Sequence, residues 1–398
     1  MKAINEIDFA YSLFVDKYNK YEQDDIDAAI AVLKSGRLFY PIGFHVVALE
    51  KRLKKEFSSR DCVLVTSGTA AVHVALGSIG IDFGDEVIVT PIGDTGTVLP
   101  IFLQGAIPVF ADVDPKTMMI TAETIRPKIT SRTKAIIVVH YGGFPAEIKK
   151  IVELARKRNI AVVEDCAQAP STFYEGKRIG TFGDVGSFST NDTKHVSCGD
   201  GGFVICNTKK SARNAKLFRD KGFNRATKIR DPEIVAPNYR MTEIQAAILN
   251  SQWNKLEARV KQRASFAKGI EKIVKKTSWL HTFPSHRNDR SSYFLYLFFL
   301  DEKAPVTRDK LCKELCKVGI PARRGNLYDV LYKLNIFKSK LPRYMQIFNH
   351  PVYREGLCPE AESANARMVR LEMLEIFGEE EIMTFAKLIH KHATRKHS

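Results

Sequence analysis

A lysine at position 194 stands in a setting that could give it chemistry. Hydroxyl-bearing residues precede it in the run Gly186–Thr193, and a glycine cluster follows it at Gly199–Gly202, before another apolar run. A lysine amine beside apolar walls and a cofactor can lose its proton and form an imine with an aldehyde. One lysine among 61 Lys and Arg residues is weak evidence for a reactive residue, and the glycine cluster is also typical of a tight hairpin.

An acidic residue and an amide follow a second apolar run. Asp165 comes directly after Ala161–Glu164, and Gln168 follows it closely. Here the carboxylate could hold a protonated ring nitrogen, and the amide could hydrogen-bond a ring oxygen. Because aspartate caps helices readily, a capping Asp165 is the alternative interpretation.

A third segment, Thr66–Ala71, has the composition of a phosphate site. Ser67 or Thr69 can supply a hydroxyl, and Gly68 allows the backbone to approach a ligand closely. The helix that follows offers free N–H groups and the positive end of its dipole to an anion. Serine and threonine also favour plain helix N-caps, so a purely structural cap is equally compatible with these residues.

Together these segments place a phosphate site, a carboxylate and a lysine after successive apolar runs. Pyridoxal 5'-phosphate requires this set of groups. A carboxylate keeps the pyridine nitrogen protonated, so that the ring can accept electrons from a substrate carbanion. A lysine first anchors the cofactor and then moves the proton.

The elements that carry these residues alternate between strands and helices from about residue 60 to 210. Helical stretches are predicted at Thr69–Ile79 and Ala146–Arg158. Alternation of this kind, with continuous apolar strands, predicts a mainly parallel sheet covered by helices on both faces. Ligands of such sheets bind beyond the carboxyl ends of the strands, where the candidate residues lie. The predicted strands are Cys62–Val65, Glu86–Val89, Pro108–Ala111, Ala135–Val139 and Ala161–Glu164.

Past residue 240 the pattern changes. Apolar residues from Ile244 to Val260 fit one stripe of a long helix. A strand is predicted at Tyr293–Leu300 and helices at Thr307–Val318 and near the C-terminus. We therefore expect a large cofactor-binding domain with an N-terminal helical segment over residues 1–250, and a smaller α+β domain over residues 251–398.

The composition narrows the possible classes of protein. The 398 residues carry a net charge of +16, but the basic residues are dispersed rather than concentrated in a patch, so nucleic acid is not the expected partner. No apolar run approaches the roughly 20 residues that span a bilayer, and no membrane partner is expected. The seven cysteines form neither a disulfide framework nor a metal-ligand pattern. We expect a cytoplasmic protein with no bound metal.

Eight stretches resemble the fold-type-I pyridoxal-phosphate enzymes of the DegT/StrS sugar-aminotransferase family. The family's segments read SGTAA, DEVIVP, DVDP, TKAIIPVH, EDxAQA, GDxGxFS…K, GEGG and NYRMTELQAA. Their counterparts occur here in the same order and span most of the chain. They are Ser67–Ala71, Asp85–Pro91, Asp112–Pro115, Thr133–His140, Glu164–Ala169, Gly183–Lys194, Gly199–Gly202 and Asn238–Ala247.

The resemblance implies a role for each residue at the ring of the cofactor. Lys194 would be the lysine that forms the Schiff base, Asp165 the partner of the pyridinium nitrogen, and Gln168 a contact on the side of the ring hydroxyl. Relatives that act as sugar dehydratases carry histidine at the lysine position. Here the lysine is present and His195 follows it, which favours transamination.

The resemblance also assigns residues to the phosphate. Gly68, Thr69 and Ser189 would hold it within one subunit. Asn238 resembles the asparagine that reaches into the neighbouring subunit's phosphate site. The family therefore implies a homodimer with shared active sites, in which an isolated monomer is inactive.

Two departures from the family pattern stand out. Family members usually carry an aromatic residue after DEVIVP that covers the cofactor, whereas residues 91–97 of this chain contain none. Asp200 replaces the usual glutamate of GEGG, a shorter acid with the same charge.

The expected activity is transfer of an amino group from glutamate or glutamine to a keto-sugar that is linked to a nucleotide. The missing aromatic leaves a keto-cyclitol or another keto substrate open as an alternative. A nucleic-acid-binding regulator and a scaffold without chemistry are further alternatives. The first lacks a concentrated basic patch, and intact Lys194 and Asp165 argue against the second.

Overall fold

The computed structural model describes residues 19–227, 229, 231–284 and 288–394. The strands are β1 (Asp61–Val65), β2 (Glu86–Val89), β3 (Ile107–Phe110), β4 (Thr133–Val139), β5 (Ala161–Asp165), β6 (Phe173–Tyr174), β7 (Lys177–Arg178), β8 (Val185–Ser189), β9 (Gly202–Cys206), β10 (Leu280–Thr282), β11 (Leu295–Leu300), β12 (Ala322–Arg324) and β13 (Met368–Glu372).

The helices are α1 (Gln23–Ser35), α2 (His45–Glu56), α3 (Gly68–Ile79), α4 (Thr95–Leu103), α5 (Ala122–Ile125), α6 (Ile148–Arg156), α7 (Lys209–Arg219), α8 (Glu243–Trp253), α9 (Leu256–Lys275), α10 (Arg308–Lys317), α11 (Asn335–Ser339), α12 (Pro359–Arg367) and α13 (Glu379–Thr394). The predicted strands and helices before residue 210 are confirmed, with small shifts at their ends.

Seven of the described strands form one sheet in the order β1-β9-β8-β5-β4-β2-β3. The five strands from β8 to β3 are all parallel, and β9 runs antiparallel to both of its neighbours. Their β-branched residues are buried on both faces of the sheet. The predicted α/β architecture with a mainly parallel sheet is therefore confirmed.

A second sheet has the order β10-β11-β13-β12 and is fully antiparallel. Alternate residues of β11 point to different cores: Leu295 and Leu297 join the core of the large sheet, whereas Tyr296 and Phe298 join a second core with α9, α10 and α13. The smaller α+β unit expected in the C-terminal part is present as this sheet and its helices.

The single long helix predicted around Ile244–Val260 is wrong. Helix α8 ends at Trp253 and α9 begins at Leu256. Trp253 packs into the first core and donates a 2.7 Å hydrogen bond to Glu56, while α9 continues toward the second core. The first turns of α9 still contact the first core through Leu256 and Val260, and the helix joins the second core only from Phe266 onward.

The division of the chain at residue 250 stays a prediction. The chain after β12 returns to the large sheet, because Val330, Tyr332, Phe337 and Tyr353 belong to the first core. Among the described residues, no helix has both the length and the apolar character needed to cross a membrane.

Candidate active site

A cavity of about 820 Å³ opens at the carboxyl ends of β1, β4, β5 and β8. All but one of the predicted site residues line it. Those residues are Gly68, Thr69, Asp165, Gln168, Ser189 and Lys194. The topology explains this convergence, because the residues that follow parallel strands meet at one edge of the sheet.

The start of α3 forms one end of the cavity. Ser67 caps the helix, with its Oγ accepting a 3.0 Å hydrogen bond from the Ala70 N–H. The capping interpretation of Ser67 is therefore correct, and Thr69 is the hydroxyl exposed at the cavity. The first N–H groups of α3 have no partners inside the helix, so they and the helix dipole favour an anion here.

Ser189, at the end of β8, lies directly against Gly68. A Cβ atom on Gly68 would stand only 2.7 Å from the Cβ of Ser189, a distance that no side chain tolerates. Glycine at this position therefore lets the helix N-terminus and the serine hydroxyl share one small space. That space has the donors a phosphate group would need.

Asp165 is buried at the end of β5, and its carboxylate is held by two donors. The Thr97 hydroxyl donates to Oδ2 at 2.7 Å, and the Ala167 N–H donates to Oδ1 at 3.0 Å. No helix follows Asp165, so the helix-capping interpretation is wrong. Burial raises the pKa of Asp165, and Thr97, Ala167 and the positive charge of Lys194 partly offset that rise. A cation held against this carboxylate would keep it ionised.

Gln168 is oriented by its side-chain oxygen. Its Oε1 accepts a 2.7 Å hydrogen bond from the Gly142 N–H, so the Nε2 group is the one left to donate to a ligand. This matches the donor expected beside a ring oxygen.

Lys194 projects into the cavity beside an aromatic ring. Its Nζ lies 4.4 Å from the centre of the Phe294 ring. Burial lowers the pKa of Lys194, while the negative charges of Asp94, Asp165 and Glu372 raise it. The net lowering brings the amine closer to the neutral form that chemistry at nitrogen requires.

Asp94 occupies the segment where the family's aromatic residue is missing. Its Oδ1 accepts a 2.7 Å hydrogen bond from the Gly96 N–H and caps α4. The carboxylate also lines the cavity. Asp94 is not among the predicted site residues, although an aspartate before Thr95–Thr97 is typical of a helix N-cap. Aromatic side chains reach the cavity from elsewhere, as Tyr21, Tyr141 and Phe294.

Lys20 is a second lysine in the cavity, and sequence patterns gave no signal for it. Its Nζ donates to the backbone carbonyl oxygen of Lys194 at 2.9 Å and to that of Asp192. Burial, with a contribution from Arg263, lowers the pKa of Lys20 to about 8. These hydrogen bonds attach the N-terminal segment to the loop that carries Lys194.

The lowered pKa of Lys20 predicts a pH dependence of stability. The folded protein binds fewer protons than the unfolded chain between pH 8 and the unfolded pKa of 10.5, so the free energy of unfolding should rise with pH across this window. Lys20→Met should remove this part of the rise. Urea midpoints from pH 7 to 11 check it, with the exposed Lys209→Met as control. If the urea midpoints of wild type and Lys20→Met changed in parallel with pH, the prediction would be contradicted.

Asn238 is the predicted site residue that the structure leaves outside the cavity. It is exposed, in a segment that bridges Asp220. The neighbouring Arg240 donates to the Asp220 carboxylate at 2.5 Å and lies over the ring of Phe39 at 5.3 Å. Within one chain Asn238 therefore does not line the cavity.

His195 and the glycine cluster have different surroundings from Lys194. His195 is buried outside the cavity wall, where its Nε2 donates to the Ser292 carbonyl at 2.8 Å. Burial lowers the pKa of His195 well below its usual value, so the ring is neutral. The hairpin interpretation of the glycine cluster is only half right: β8 and β9 are antiparallel neighbours, but the long loop 190–201 joins them. Asp200, in that loop, lines the cavity.

Four charged residues from the C-terminal half, none of them among the predicted site residues, complete the cavity wall. Arg263 of α9 is buried and pairs with Glu375 at 2.7 Å. The others lie on β12 and β13. They are Arg323, Arg370 and Glu372. The available signal was the alternation of apolar and charged residues in the segment 369–373.

Three side chains near the site lie close enough together for a metal ion, namely His140, Glu164 and Cys166. The Glu164 carboxylate already accepts hydrogen bonds from the N–H groups of Gly180, Phe182 and Gly183. His140 accepts from the Ala146 N–H and contacts Glu164 at 3.2 Å. These bonds hold the loop after β7 against β5, which accounts for the cluster structurally.

The cavity fits pyridoxal 5'-phosphate. The α3 N-terminus and the Ser189 hydroxyl would hold the phosphate, in the space that Gly68 keeps open. Asp165 would face the ring nitrogen, and Lys194 would face the aldehyde carbon. A buried carboxylate with two oriented donors and a lysine of lowered pKa in one cavity are what this cofactor needs.

Comparisons with known proteins agree with this chemistry. Residues 19–389 match the DegT/DnrJ/EryC1/StrS aminotransferase family. An uncharacterized protein of Methanocaldococcus jannaschii is 31% identical over 379 residues, which cover 93% of this chain and 95% of that protein.

Solved structures show the same fold. The aminotransferase of Psychrobacter cryohalolentis superposes with a TM-score of 0.85 at 27% identity, over 93% of this chain and 96% of that one. DesV of S. venezuelae gives a TM-score of 0.83 at 25% identity, over 98% and 97% of the two chains. The chain therefore belongs to the DegT/DnrJ/EryC1/StrS aminotransferase family, whose members have the fold-type-I architecture and depend on pyridoxal phosphate.

Proposed function

We propose that this aminotransferase moves an amino group from glutamate or glutamine to the ketone of a sugar, with the sugar carried on a nucleoside diphosphate. One observation carries the proposal: Lys194, Asp165 and the α3 N-terminus face one cavity of about 820 Å³. A cavity of this size accommodates a cofactor together with a sugar-sized substrate. A single site must serve both substrates in turn, since the cofactor stores the amino group between them.

Lys194 would both attach the cofactor through its amine and move the proton during amino transfer. When bound, pyridoxal phosphate supplies the carbonyl carbon that takes the amino group and a ring that accepts electrons. The Lys194 amine, with its lowered pKa, would take a proton from the α-carbon of the donor and deliver it to the carbonyl carbon of the cofactor, on the other side of the amino nitrogen. Phe294 at 4.4 Å limits the directions in which the amine can swing.

Asp165 and Gln168 would orient the ring. The two donors to Asp165, from Thr97 and Ala167, fix the plane of its carboxylate, and burial strengthens its attraction for a protonated nitrogen. Gln168, held by the Gly142 N–H, would donate on the side of the ring hydroxyl. Both side chains are held before any ligand arrives, so little reorganisation accompanies binding.

A keto-cyclitol is a second candidate acceptor, supported by the segment that lacks the aromatic residue. Asp94 and Gly96 stand there instead, with the Asp94 carboxylate at the cavity. A carboxylate can accept hydrogen bonds from the hydroxyls of a polyhydroxylated ring. This feature suits a free cyclitol as well as a sugar nucleotide.

Half-reactions test the proposal. Holoenzyme should lose its visible absorption when L-glutamate or L-glutamine is added, because the amino group passes to the cofactor. A panel of keto-sugar nucleotides and keto-cyclitols should then restore the absorption, with aminated products identified by mass. A holoenzyme whose spectrum neither amino acid changes would overturn the proposed donor.

We further propose a homodimer, because exposed apolar residues surround the segment of Asn238. Phe39 is 48% exposed, Phe44 71% and Val235 fully exposed, and Arg240 links Phe39 to the Asn238 segment. A large apolar surface of this kind marks a protein interface. Further exposed apolar residues on the same part of the chain are Ile26, Ile30, Leu33, Leu38, Ile42 and Val47.

Shared active sites predict complementation between two inactive variants. Lys194→Ala and Asn238→Ala homodimers should each be strongly impaired. After subunit exchange, a heterodimer has one site with both changes and one with neither. Because half of randomly mixed dimers are heterodimers, activity should recover to about a quarter of wild type per protomer. Steady-state rates of the mixture, with each variant alone as control, measure the recovery, and no recovery after proven exchange contradicts sharing.

The cysteines support our proposal of a cytoplasmic location. All seven are free, and six of them are buried. A reducing compartment preserves thiols in this state.

A further inference from the structure

Lys194 lies in a loop, not on a helix or a strand. The described residues 190–201 join β8 to β9 with neither element between them. A side chain on such a segment is held only as precisely as the backbone that carries it. Within the loop, the Lys194 N–H donates to the Asn191 carbonyl at 2.9 Å. Further support comes from residues that are distant in the sequence.

The N-terminal segment supplies part of that support through Lys20 and Tyr21. The Lys20 ammonium donates to the carbonyl oxygens of Asp192 and Lys194, the latter at 2.9 Å. Because the peptide unit is planar, a bond to the Lys194 carbonyl oxygen restricts rotation about the Cα–C bond of Lys194 itself. The Tyr21 hydroxyl donates to Asp192 Oδ1 at 2.9 Å. Bonds from an ammonium group to carbonyl oxygens are charge-assisted and therefore strong.

Lys20 is itself held in place by the helices beneath the loop. Its backbone carbonyl accepts hydrogen bonds from Gln252 of α8 at 3.0 Å and from Arg259 of α9 at 2.8 Å. The same guanidinium donates to the carbonyl of His195, the residue after Lys194, at 2.8 Å. Gln252 and Arg259 are both buried. One buried guanidinium therefore connects Lys20 with the backbone directly beside Lys194.

An ammonium group is an unfavourable choice for this position if packing is the only requirement. Lys20 lines the cavity, and burial together with the positive charge of Arg263 lowers its pKa to about 8. Both effects disfavour the charged form, so a neutral side chain would be more favourable for folding alone. Residues that conflict with stability in this way are concentrated at functional sites.

We propose that Lys20 is a positioning residue for amino transfer, an inference that rests on the role proposed for Lys194. Its ammonium group holds the loop so that the Lys194 amine stays within reach of both carbons between which it moves the proton. A misplacement of about 1 Å in a reacting group lowers a rate by about 10²-fold. Lys20 acts through the backbone of the loop and not by contact with the reacting atoms.

Covalent trapping in the apoprotein measures the placement of Lys194 without turnover. Apoprotein is mixed with saturating pyridoxal phosphate, borohydride is added at increasing times, and the adduct on the Lys194 peptide is quantified by mass spectrometry. Lys20→Met should form this adduct about tenfold or more slowly than wild type, because the amine adopts the reactive orientation less often. Lys20→Arg keeps the charge and the N–H donors, so it should recover part of the rate.

A single turnover of the holoenzyme tests the same effect during catalysis. With L-glutamate or L-glutamine, Lys20→Met should lower the maximal rate at which visible absorption is lost by about 30-fold or more. The donor concentration that gives half of this rate should change less than about threefold, since a positioning residue affects the chemical step and not donor binding.

Lys255→Met is the matched control for both experiments. Lys255 pairs with Asp24 at 2.6 Å and with Asp25 at 2.8 Å, so it attaches the same N-terminal segment through α1 and not through the loop of Lys194. We expect it to change either rate less than about threefold. Retained cofactor absorption and the urea midpoint show that the variants are folded.

Three results would overturn the inference. Wild-type rates for Lys20→Met in both experiments would mean that Lys20 is merely structural. A loss of donor affinity at an unchanged maximal rate would make it a ligand contact instead. Equal losses in Lys255→Met would assign the effect to the attachment of the whole N-terminal segment.

Tyr21→Phe is a second test if Lys20→Met does not fold. It removes one hydroxyl that bonds to Asp192 and should slow trapping on Lys194 by about fivefold, the effect of losing one hydrogen bond. An unchanged trapping rate would then contradict the inference. Failure of the proposed function is a separate result, because it appears as an adduct on another lysine or as a wild-type spectrum that neither amino acid changes.

Discussion

Lys194→Ala is expected to lower the turnover rate by about 10⁴-fold or more. The variant loses the amine that moves the proton at the donor α-carbon, and general acid–base catalysis alone contributes roughly 10²–10⁴-fold. The covalent anchor for the cofactor is lost as well. Lys20 cannot take over, because its Nζ is bound by the carbonyl oxygens of Asp192 and Lys194.

Borohydride reduction followed by mass spectrometry checks which lysine carries the cofactor. Wild-type protein and Lys20→Met should retain the reduced cofactor covalently, whereas Lys194→Ala should release it on denaturation. Lys20→Met is a stringent control since this lysine lines the same cavity. Covalent retention by Lys194→Ala would assign the anchor to another lysine.

Asp165→Asn is expected to lower the turnover rate by on the order of 10³-fold, the size of effect that follows loss of a preorganised electrostatic contact. Asparagine keeps the shape of the side chain, but its single oxygen can accept from only one of Thr97 and Ala167, and it cannot stabilise a protonated ring nitrogen. Cofactor affinity should fall together with turnover. Titration of the apoprotein with pyridoxal phosphate, followed by its absorption, and steady-state rates measure both.

Asp94→Asn separates this role from a general effect of negative charge. Asp94 also raises the pKa of Lys194, and asparagine would preserve its cap on α4. We expect the Asp94 variant to retain cofactor affinity and lose less than tenfold in rate. Equal losses in both variants would mean that Asp165 acts through the potential at Lys194 and not through the ring.

The large sheet could be predicted from sequence because its signals are local. Short β-branched runs such as Val87–Val89 predict strands buried on both faces, and the polar residues that follow parallel strands meet at one edge of the sheet. Motif resemblance then added the role of each residue. The break between α8 and α9 could not be predicted, because the apolar stripe continues across it: Leu256 and Val260 join the same core as Trp253.

The charged wall of the cavity could be predicted only in part, because the alternation in residues 369–373 places Arg370 and Glu372 on one face of a strand but does not tell what that face contacts. By sequence, Arg323 and Arg324 are equivalent neighbours. In the fold, Arg323 turns toward Glu372 and the cavity, whereas Arg324 points to solvent beside Asp309. Lys20 is separated from Lys194 by more than a hundred residues, and only the folded chain brings its ammonium group to that loop.

The sequence by itself determined the α/β architecture, the family and the lysine and carboxylate that open onto the cavity, because these depend on short-range pattern and strand order. The tertiary structure alone decided which additional charges face the ligand. Those charges come from the N-terminal segment, α9 and the second sheet, and their orientation depends on long-range packing that no local pattern encodes.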